Sequence, residues 1–445
     1  MRKLFVFRAV LAVALLVGLA GAASGQVTGL YYKEVEKDGR VYVFNTPERY
    51  QSFTAGGEMG TAVTLIGQAE GGKTLVAENE TAADLYLFKH NLPAYERPTP
   101  KPPTPAFDVS WKDGKTSIKS KSAELTISNR GQLRFTEEMP EVGKDVGSFR
   151  VRRFKTKFEG WAYTKDLTYE LQMNWADTTN ALEDANINYD FSHGKKAFQL
   201  KAGQFKVPFG RQELTSSGSQ QFVDRATDYG RFARGRDIGV QLWGQPAGGK
   251  LDWRVGIFNG NGRNVTRNDN DKFQLNARLT YQPFGDTKYS EGDFESADKP
   301  LLAVSLEYES NERPVAAAGS TPAHSVDREI VGEDVSFKYK GLSIFVEHFD
   351  ATNDRSNGVS DFDEEYLIGQ VGYFVVPKTF EVALRFATLD PNKDKSNDDR
   401  EERGLVLGYF FNKHAHKLQA DYRQIEDKST KRTDDEIRIQ YQIIF

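Results

Sequence analysis

From about residue 106 to the C-terminus, apolar side chains recur at every second position in runs of about 8 to 15 residues, separated by polar turns. A period of two puts one set of side chains on each face of an extended strand, so each run is oily on one side and ionic on the other. In Arg152 to Ala162, Phe154, Thr156, Phe158, Gly160 and Ala162 share one face, and Arg153, Lys155, Lys157 and Glu159 share the other. Leu251, Trp253, Val255 and Ile257 oppose Asp252, Arg254 and Gly256. Phe273, Leu275, Ala277, Leu279 and Tyr281 oppose Gln274, Asn276, Arg278 and Thr280, and Phe380, Val382, Leu384 and Phe386 oppose Glu381 and Arg385. The last run sets Ile437, Ile439, Tyr441, Ile443 and the terminal Phe445 on one face.

Counting these runs gives about sixteen strands, near 123–137, 149–163, 166–177, 184–191, 196–204, 236–244, 250–258, 272–283, 300–310, 332–340, 342–351, 363–375, 378–389, 402–413, 416–427 and 432–445. An even count of long strands suits a closed barrel with both termini on one side of an outer membrane. The connections alternate accordingly. Thr164-Lys165, 192–195, 245–249, Gly341, Val376-Pro377 and 412–415 are tight, and most of the others are longer and polar. Phe284 to Lys299 breaks the rule, because it falls on the tight side and is long. A soluble β-sandwich also alternates, but its strands are usually shorter and its oily faces are buried between two sheets. The fold class is all-β, a 16-stranded antiparallel transmembrane β-barrel with a small N-terminal periplasmic α+β module. The last strand, apolar at alternate positions and ending in Phe, resembles the C-terminal signal of bacterial outer-membrane proteins.

The N-terminus supplies the route to that membrane. Arg2, Lys3 and Arg8 flank an apolar run from Ala9 to Ala20, followed by Ala23-Ser24-Gly25, which reads as a secretory signal over residues 1–25. The run is too short for a spanning helix, which needs roughly 20 apolar residues. Residues 26–92 alternate short strand-like runs with turns. Hairpins are expected around Lys37-Asp38-Gly39 and Glu70-Gly71-Gly72, and helices over 47–53 and 81–90 with Thr81 as N-cap. Six prolines between 93 and 105 make 93–106 an extended linker, and 107–445 is the barrel.

Composition narrows the chemistry. The chain has no cysteine and a net charge of −4, which excludes thiolate zinc sites and cysteine nucleophiles and argues against a nucleic-acid partner. Six scattered histidines have no companion motif for catalysis, so an enzyme is not expected. Asp390, Asn392, Asp394 and Glu401 follow a calcium-loop spacing, but Lys395 stands where glycine is required. His414 and His416 share a strand face without an acidic third ligand. No metal and no cofactor are expected.

The centre of the chain carries the most specific signal. Residues 203–217 read GQFKVPFGRQELTSS, residues 222–244 FVDRATDYGRFARGRDIGVQLWG, and residues 256–262 GIFNGNG, after FRVRRFKTKFEG at 149–160. In this order the blocks resemble the phosphate-selective porin O and P family over about residues 107–445. That resemblance implies a general-import or anion-preferring porin, often a homotrimer, embedded in outer-membrane lipids of a Gram-negative-type bacterium. It also implies a third outer loop folded into the lumen, which here is 205–235.

Nine Lys or Arg against four Asp or Glu lie between His193 and Asp237, and five bases without an acid lie in 149–157. Basic side chains in a narrow, low-dielectric passage attract anions. Lys206, Arg211, Arg225, Arg231, Arg234 and Arg236 are the candidates for the constriction. Arg153, Lys155, Lys157, Lys201, Arg254 and Arg278 are the candidates for the lumen wall by parity. For Arg225 beside Asp224 and Arg236 beside Asp237, pairing with those acids is the alternative role. The expected function is passive diffusion of small anions such as phosphate or polyphosphate. The acidic tract Asp350 to Glu365, with six acids and one base, would oppose phosphate if it lay in an outer loop at the mouth. The alternatives are a general small-solute porin with little selectivity, or a barrel anchor whose N-terminal module binds a periplasmic or cell-wall partner.

Overall fold

The computed structural model describes residues 29–97 and 107–445, except Ala297. The expected signal, and the 98–106 part of the expected linker, lie outside the described residues. The chain separates into two units, Met1–Thr104 and Pro105–Phe445.

In the first unit, strands β1 (Lys33–Lys37), β2 (Arg40–Phe44), β3 (Val63–Leu65) and β4 (Thr74–Ala77) form a sheet in the order β1-β2-β4-β3. The two outer pairs are antiparallel and β2 and β4 run parallel. Alternation along β2 serves two helices. Val41 and Val43 pack with Ala83, Tyr86 and Leu87 of α2 (Glu80–Lys89), and Phe44 packs with Phe53 of α1 (Pro47–Gly56) on the other side. Proline at the first position of α1 and Gly57 at φ 75° beyond its end are the expected start and stop. The cap of α2 is Asn79, whose side chain accepts from Ala82 N at 2.9 Å, two residues before the expected Thr81. Asn79 has the extended backbone that a capping side chain needs.

The second unit is a closed barrel of sixteen antiparallel strands: β7 (Ala123–Met139), β8 (Val146–Ala162), β9 (Thr164–Asn174), β10 (Leu182–Asp190), β11 (Gln199–Lys206), β12 (Arg236–Gly244), β13 (Leu251–Phe258), β14 (Gln274–Tyr281), β15 (Leu301–Val315), β16 (His324–Tyr339), β17 (Leu342–Arg355), β18 (Phe362–Val376), β19 (Phe380–Asp390), β20 (Arg400–Asn412), β21 (His416–Asp427) and β22 (Arg432–Ile444). Closure is between β22 and β7. A preceding hairpin, β5 (Asp108–Lys112) and β6 (Lys115–Lys119), pairs with the first residues of β7, alongside the stretch that β22 does not reach.

The oily parity faces outward. Leu242, Val255, Leu279, Leu306, Leu384 and Ile439 are all exposed on the outer wall. The intervening positions are buried inward, Arg278, Glu307, Asp334 and Gln440 among them. Outer connections are shorter than expected. Apart from 207–235 and 259–273 they have four to nine residues, because the strands run on, β15 to β18 reaching 14 to 16 residues. The acidic tract is part of this extension. Asp350, Asp354, Asp363 and Glu365 lie on the outward parity of β17 and β18, and only Glu364 turns inward, so the tract is mostly wall and not mouth.

Candidate functional site

The connection 207–235, between β11 and β12, folds into the lumen. Gly210 makes the first turn at φ 74°, where a Cβ would strike the Tyr229 hydroxyl. One helical turn, α3 (Arg211–Leu214), follows. The loop is held on its apolar side by Val207, Phe209, Tyr229 and Phe232, which pack with inward-facing Ile330, Phe349, Tyr366 and Leu389. The Phe232 and Phe349 rings stack at 5.5 Å, and those of Phe209 and Phe349 at 5.2 Å.

Loop backbone donors inside a barrel need acceptors, and the wall supplies carboxylates. Gly210 N donates to Glu307 at 2.8 Å, Arg211 N to Glu347, Val223 N to Asp421 at 3.1 Å and Thr227 N to Glu402 at 2.6 Å. The Tyr229 hydroxyl donates to Glu347 at 2.7 Å.

A second segment enters from the opposite end. Residues 282–296, in the long connection that broke the alternation, fold inward and meet the loop. Glu291 N donates to Ser219 O at 2.9 Å and Gln221 N to the Glu291 carboxylate at 2.6 Å. Arg211 donates to Thr287 Oγ1 at 2.8 Å and Lys288 O at 2.9 Å. Phe294 sits among Phe374, Phe410 and His414, with ring centroids 4.6 to 4.8 Å away. The two segments pack against the wall strands β14 to β22, through Glu307, Glu347, Glu402 and Asp421 and the rings of Phe349, Tyr366, Phe374 and Phe410.

A cavity of about 690 Å³ remains against β7 to β13, the space left there for a conduit. Twelve Lys or Arg and five Asp or Glu line it. Of the sequence candidates it holds Lys206, Arg225, Arg234 and Arg236 from the loop and its ends, and Arg153, Lys155, Lys157, Lys201 and Arg254 from the wall. Three candidates lie elsewhere. Arg278 is buried between Glu307 and Asp334 and donates to Ser305 at 2.9 Å. Arg211 belongs to the contact between the two inward segments. Arg231 pairs with Glu364 across the loop from the conduit.

Three further bases, Arg130, Arg152 and Arg263, line the conduit without having been singled out. Arg152 has the parity of Phe154 and should face outward. A break in register at Gln132/Leu133 leaves Arg152 unpaired in the ladder, so Arg152 and Arg153 both reach Asp224 of the loop, at 3.4 and 2.8 Å.

Pairing divides the lining. Arg236 holds Asp184 at 2.7 and 2.9 Å, Arg225 holds Glu213 at 3.0 Å, and Arg254 holds Asp252 at 2.8 Å. Asp224 is taken by Arg134, Arg152 and Arg153, and Asp237 accepts from Gly262 N at 3.0 Å while Arg236 turns to Asp184, so neither Arg225 nor Arg236 pairs with its sequence neighbour. Arg130, Lys201 and Arg234 have no carboxylate within ion-pair distance among the described residues. Arg130 donates to Ser216 and Ser217 at 2.9 and 3.1 Å, and the Lys201 ammonium lies over Phe205 and Trp243 at 5.3 and 5.7 Å.

The other candidate motifs are engaged elsewhere. Glu401, last in the calcium-like spacing, binds Lys428 at 2.7 Å and Arg403 at 2.8 Å. His414 and His416 do not share a face. His414 turns inward to Glu291 O at 3.0 Å, and His416 stacks outside on Phe411 at 4.4 Å. Glu307, Asp334 and Glu347 are close enough to hold a cation, but Arg278 occupies the space between the first two.

A closed sixteen-stranded barrel with oily outer walls, an ionic lumen and an inward third loop defines an outer-membrane porin. Residues 139–444 match the family model described as phosphate-selective porin O and P, and the chain belongs to that family. It is therefore a porin channel of the outer membrane of Gram-negative bacteria. No curated protein matches its sequence. Among solved structures it is similar to the outer membrane channel DcaP of Acinetobacter baumannii, at 14% identity and TM-score 0.54 over 74% of this chain and 99% of that one. It is also similar to the anion-selective porin from Comamonas acidovorans, at 12% identity and TM-score 0.52 over 73% and 100%. OmpT of Vibrio cholerae matches at 11% identity and TM-score 0.50 over 73% and 99%. At these identities the likeness is one of fold.

Proposed function

We propose that the channel passes small anions in preference to cations, by diffusion down their gradient. The observation that carries this is the conduit lining, in which bases outnumber acids by seven, twelve less five. Low-dielectric walls around a water column strengthen that field. The extensive pairing keeps each well shallow, and passage needs attraction weak enough for exit. Phosphate is the finer reading. Guanidinium groups can replace part of an oxyanion's hydration shell with paired hydrogen bonds, and Arg130 and Arg234 carry no competing carboxylate.

Planar-bilayer recording of the purified protein across a potassium chloride gradient tests the reading. The expected reversal potential has the sign of chloride preference, and the cation sign refutes it. Inorganic phosphate added to the same bilayers should reduce the chloride current in a saturable way. A current unaffected by phosphate would limit the channel to general anion preference. The pairing of nine of the twelve bases is also what a porin of little selectivity would show, and a reversal potential near zero would favour that reading. A barrel serving only to anchor the N-terminal module would show no ion steps.

A further inference from the structure

His414 lies in the tight connection between β20 and β21, at the end of the barrel from which the second inward segment enters, and its ring is buried. Both ring nitrogens are engaged. Nε2 lies 3.0 Å from Glu291 O, and Nδ1 lies 3.2 Å from Nζ of Lys417. A carbonyl only accepts and an ammonium only donates. The ring proton therefore sits on Nε2, and Nδ1 accepts from Lys417. The imidazole is neutral, and the pair carries one positive charge between its two members. The rings of Phe294 and Phe410, with centroids 4.6 and 5.8 Å away, close the site edge-on.

This pair holds the tip of the constriction loop. Lys417 also donates to Gln220 O at 2.8 Å, and Gln442 donates to His414 O and, at 2.9 Å, to Gly218 O. Just before the tip, Ser216 and Ser217 accept from Arg130 of the conduit. One contact thus joins the turn, the segment 282–296 and the loop tip, and it ends on a base of the conduit lining. The other charged groups around it are already occupied. Lys338 of β16 donates to Ser290 O, and Lys413 pairs with Glu295. Glu291 accepts from Gln221 N and from Gln370 at 3.0 Å, Glu381 of β19 accepts from the Gln221 side chain at 2.6 Å, and Asp293 accepts from Gly341 N at 2.7 Å.

A second proton on the pair would set two cations 3.2 Å apart in a buried site and take from Nδ1 the lone pair that meets Lys417. Burial, and then the Lys417 ammonium, hold the imidazole well below its ordinary value. Freed into water, the ring would titrate near about 6.5. The held state binds fewer protons than the freed one, so the contact is at full strength above about pH 6.5 and weakens as pH falls below it, by up to about tenfold per pH unit.

We propose that His414 is an acid-sensitive latch, whose protonation releases the second inward segment and the loop tip and deprives Arg130 of its serine partners. The latch goes beyond ion preference and does not rest on it.

The test is single-channel recording of the full-length protein in planar bilayers at fixed salt, from about pH 8 to about pH 4. Wild type should give steady steps above about pH 6.5 and, below it, an added state of larger conductance whose occupancy grows by up to about tenfold per pH unit. His414→Gln keeps a donor and an acceptor but takes no proton in this range, so its steps should stay steady throughout. If that variant does not assemble, as judged by gel mobility with and without boiling, His414→Phe keeps a ring against Phe294 and Phe410 and carries the same expectation. Deuterium exchange on wild type, corrected for intrinsic rates, should show residues 282–296 and 216–221 losing protection at acid pH while 226–235 keep theirs. Steady wild-type steps at all pH, or protection unchanged by acid, overturns the proposal. So does a variant that follows wild type, because the transition then belongs to carboxylates such as Glu291 and Glu381. Reversal potentials play no part in this readout, so either sign of ion preference leaves the latch to be decided by pH alone.

Discussion

Both sides of the lumen are lined with ionic residues, yet they do opposite things. Against β7 to β13 the inward bases outnumber the acids and a cavity of about 690 Å³ stays open. Against β14 to β22 the inward acids Glu307, Glu347, Glu402 and Asp421 accept backbone donors of the folded loop, and Phe349 and Tyr366 take its rings. A charge that faces the lumen is therefore not yet a pore charge. Whether it acts on solutes depends on whether the chain itself fills the space in front of it. Arg278 and Lys201 show the contrast, since both point inward, one sealed between two carboxylates and the other left with two aromatic neighbours.

Arg278→Met should break the packed side most severely. It leaves Glu307 and Asp334 buried without their cation, a loss of about 3–5 kcal/mol. The expected result is a lower temperature for loss of the compact form on unboiled gels, or failure to assemble. Among molecules that do assemble, chloride preference should be unchanged, because Arg278 does not line the conduit. Altered selectivity with intact stability would erase the distinction between the two sides. Phe349→Ala comes next. It removes the ring on which Phe209 and Phe232 stack, at about 3 kcal/mol or somewhat more for a buried aromatic. The loop should then leave its dock part of the time, seen as larger and noisier single-channel conductance. Steps identical to wild type would mean that the loop is held by its hydrogen bonds alone.

A smaller effect is expected from Glu347→Gln, which keeps an acceptor for Arg211 N and the Tyr229 hydroxyl but removes the charge. The difference between charged and neutral acceptors is about 1 kcal/mol per bond. Brief conductance fluctuations without a change in mean selectivity are the predicted signature, read from current noise. A shift in reversal potential would place Glu347 in the ion path after all.

How much of this was legible follows from what kind of signal each feature leaves. Strand parity is local, so the sixteen strands and their two faces could be read directly, while which face is outer followed only from the barrel reading and the inward loop from the family blocks at 203–244. The β5–β6 hairpin was missed, although Asp113-Gly114 between Val109-Trp111 and Thr116-Ile118 is a hairpin signal. The packed side also left a trace, in inward positions such as Phe349 and Tyr366 that are aromatic where their counterparts elsewhere are ionic. The turn of Arg152 into the lumen left a small one, since the outward apolar residues are odd-numbered at Phe149 and Val151 and even-numbered from Phe154 on, a slip of parity at the Arg152-Arg153 doublet. The ion pairs were hidden. Asp224 meets Arg153 from 71 residues away, and the neighbouring Arg225 goes to Glu213 instead.

The mildest test concerns the open side. Lys201 has no acid partner, so its replacement should cost little stability and act mainly on ions. At about 8 Å in water a unit charge contributes about 0.5 kcal/mol. Lys201→Glu, a change of two units, should therefore move the well for a passing anion by about 1 kcal/mol, enough to reduce chloride preference several-fold in dilute salt. Near 1 M salt the screening length falls to about 3 Å and most of that shift should vanish. Reversal potentials measured at both salt levels separate the outcomes. A shift that persists in strong salt would mean that Lys201 touches the ion directly. No shift at either level would mean that the rings of Phe205 and Trp243 hold the ammonium out of the ion path, placing Lys201, like Arg278, among the charges that serve the wall.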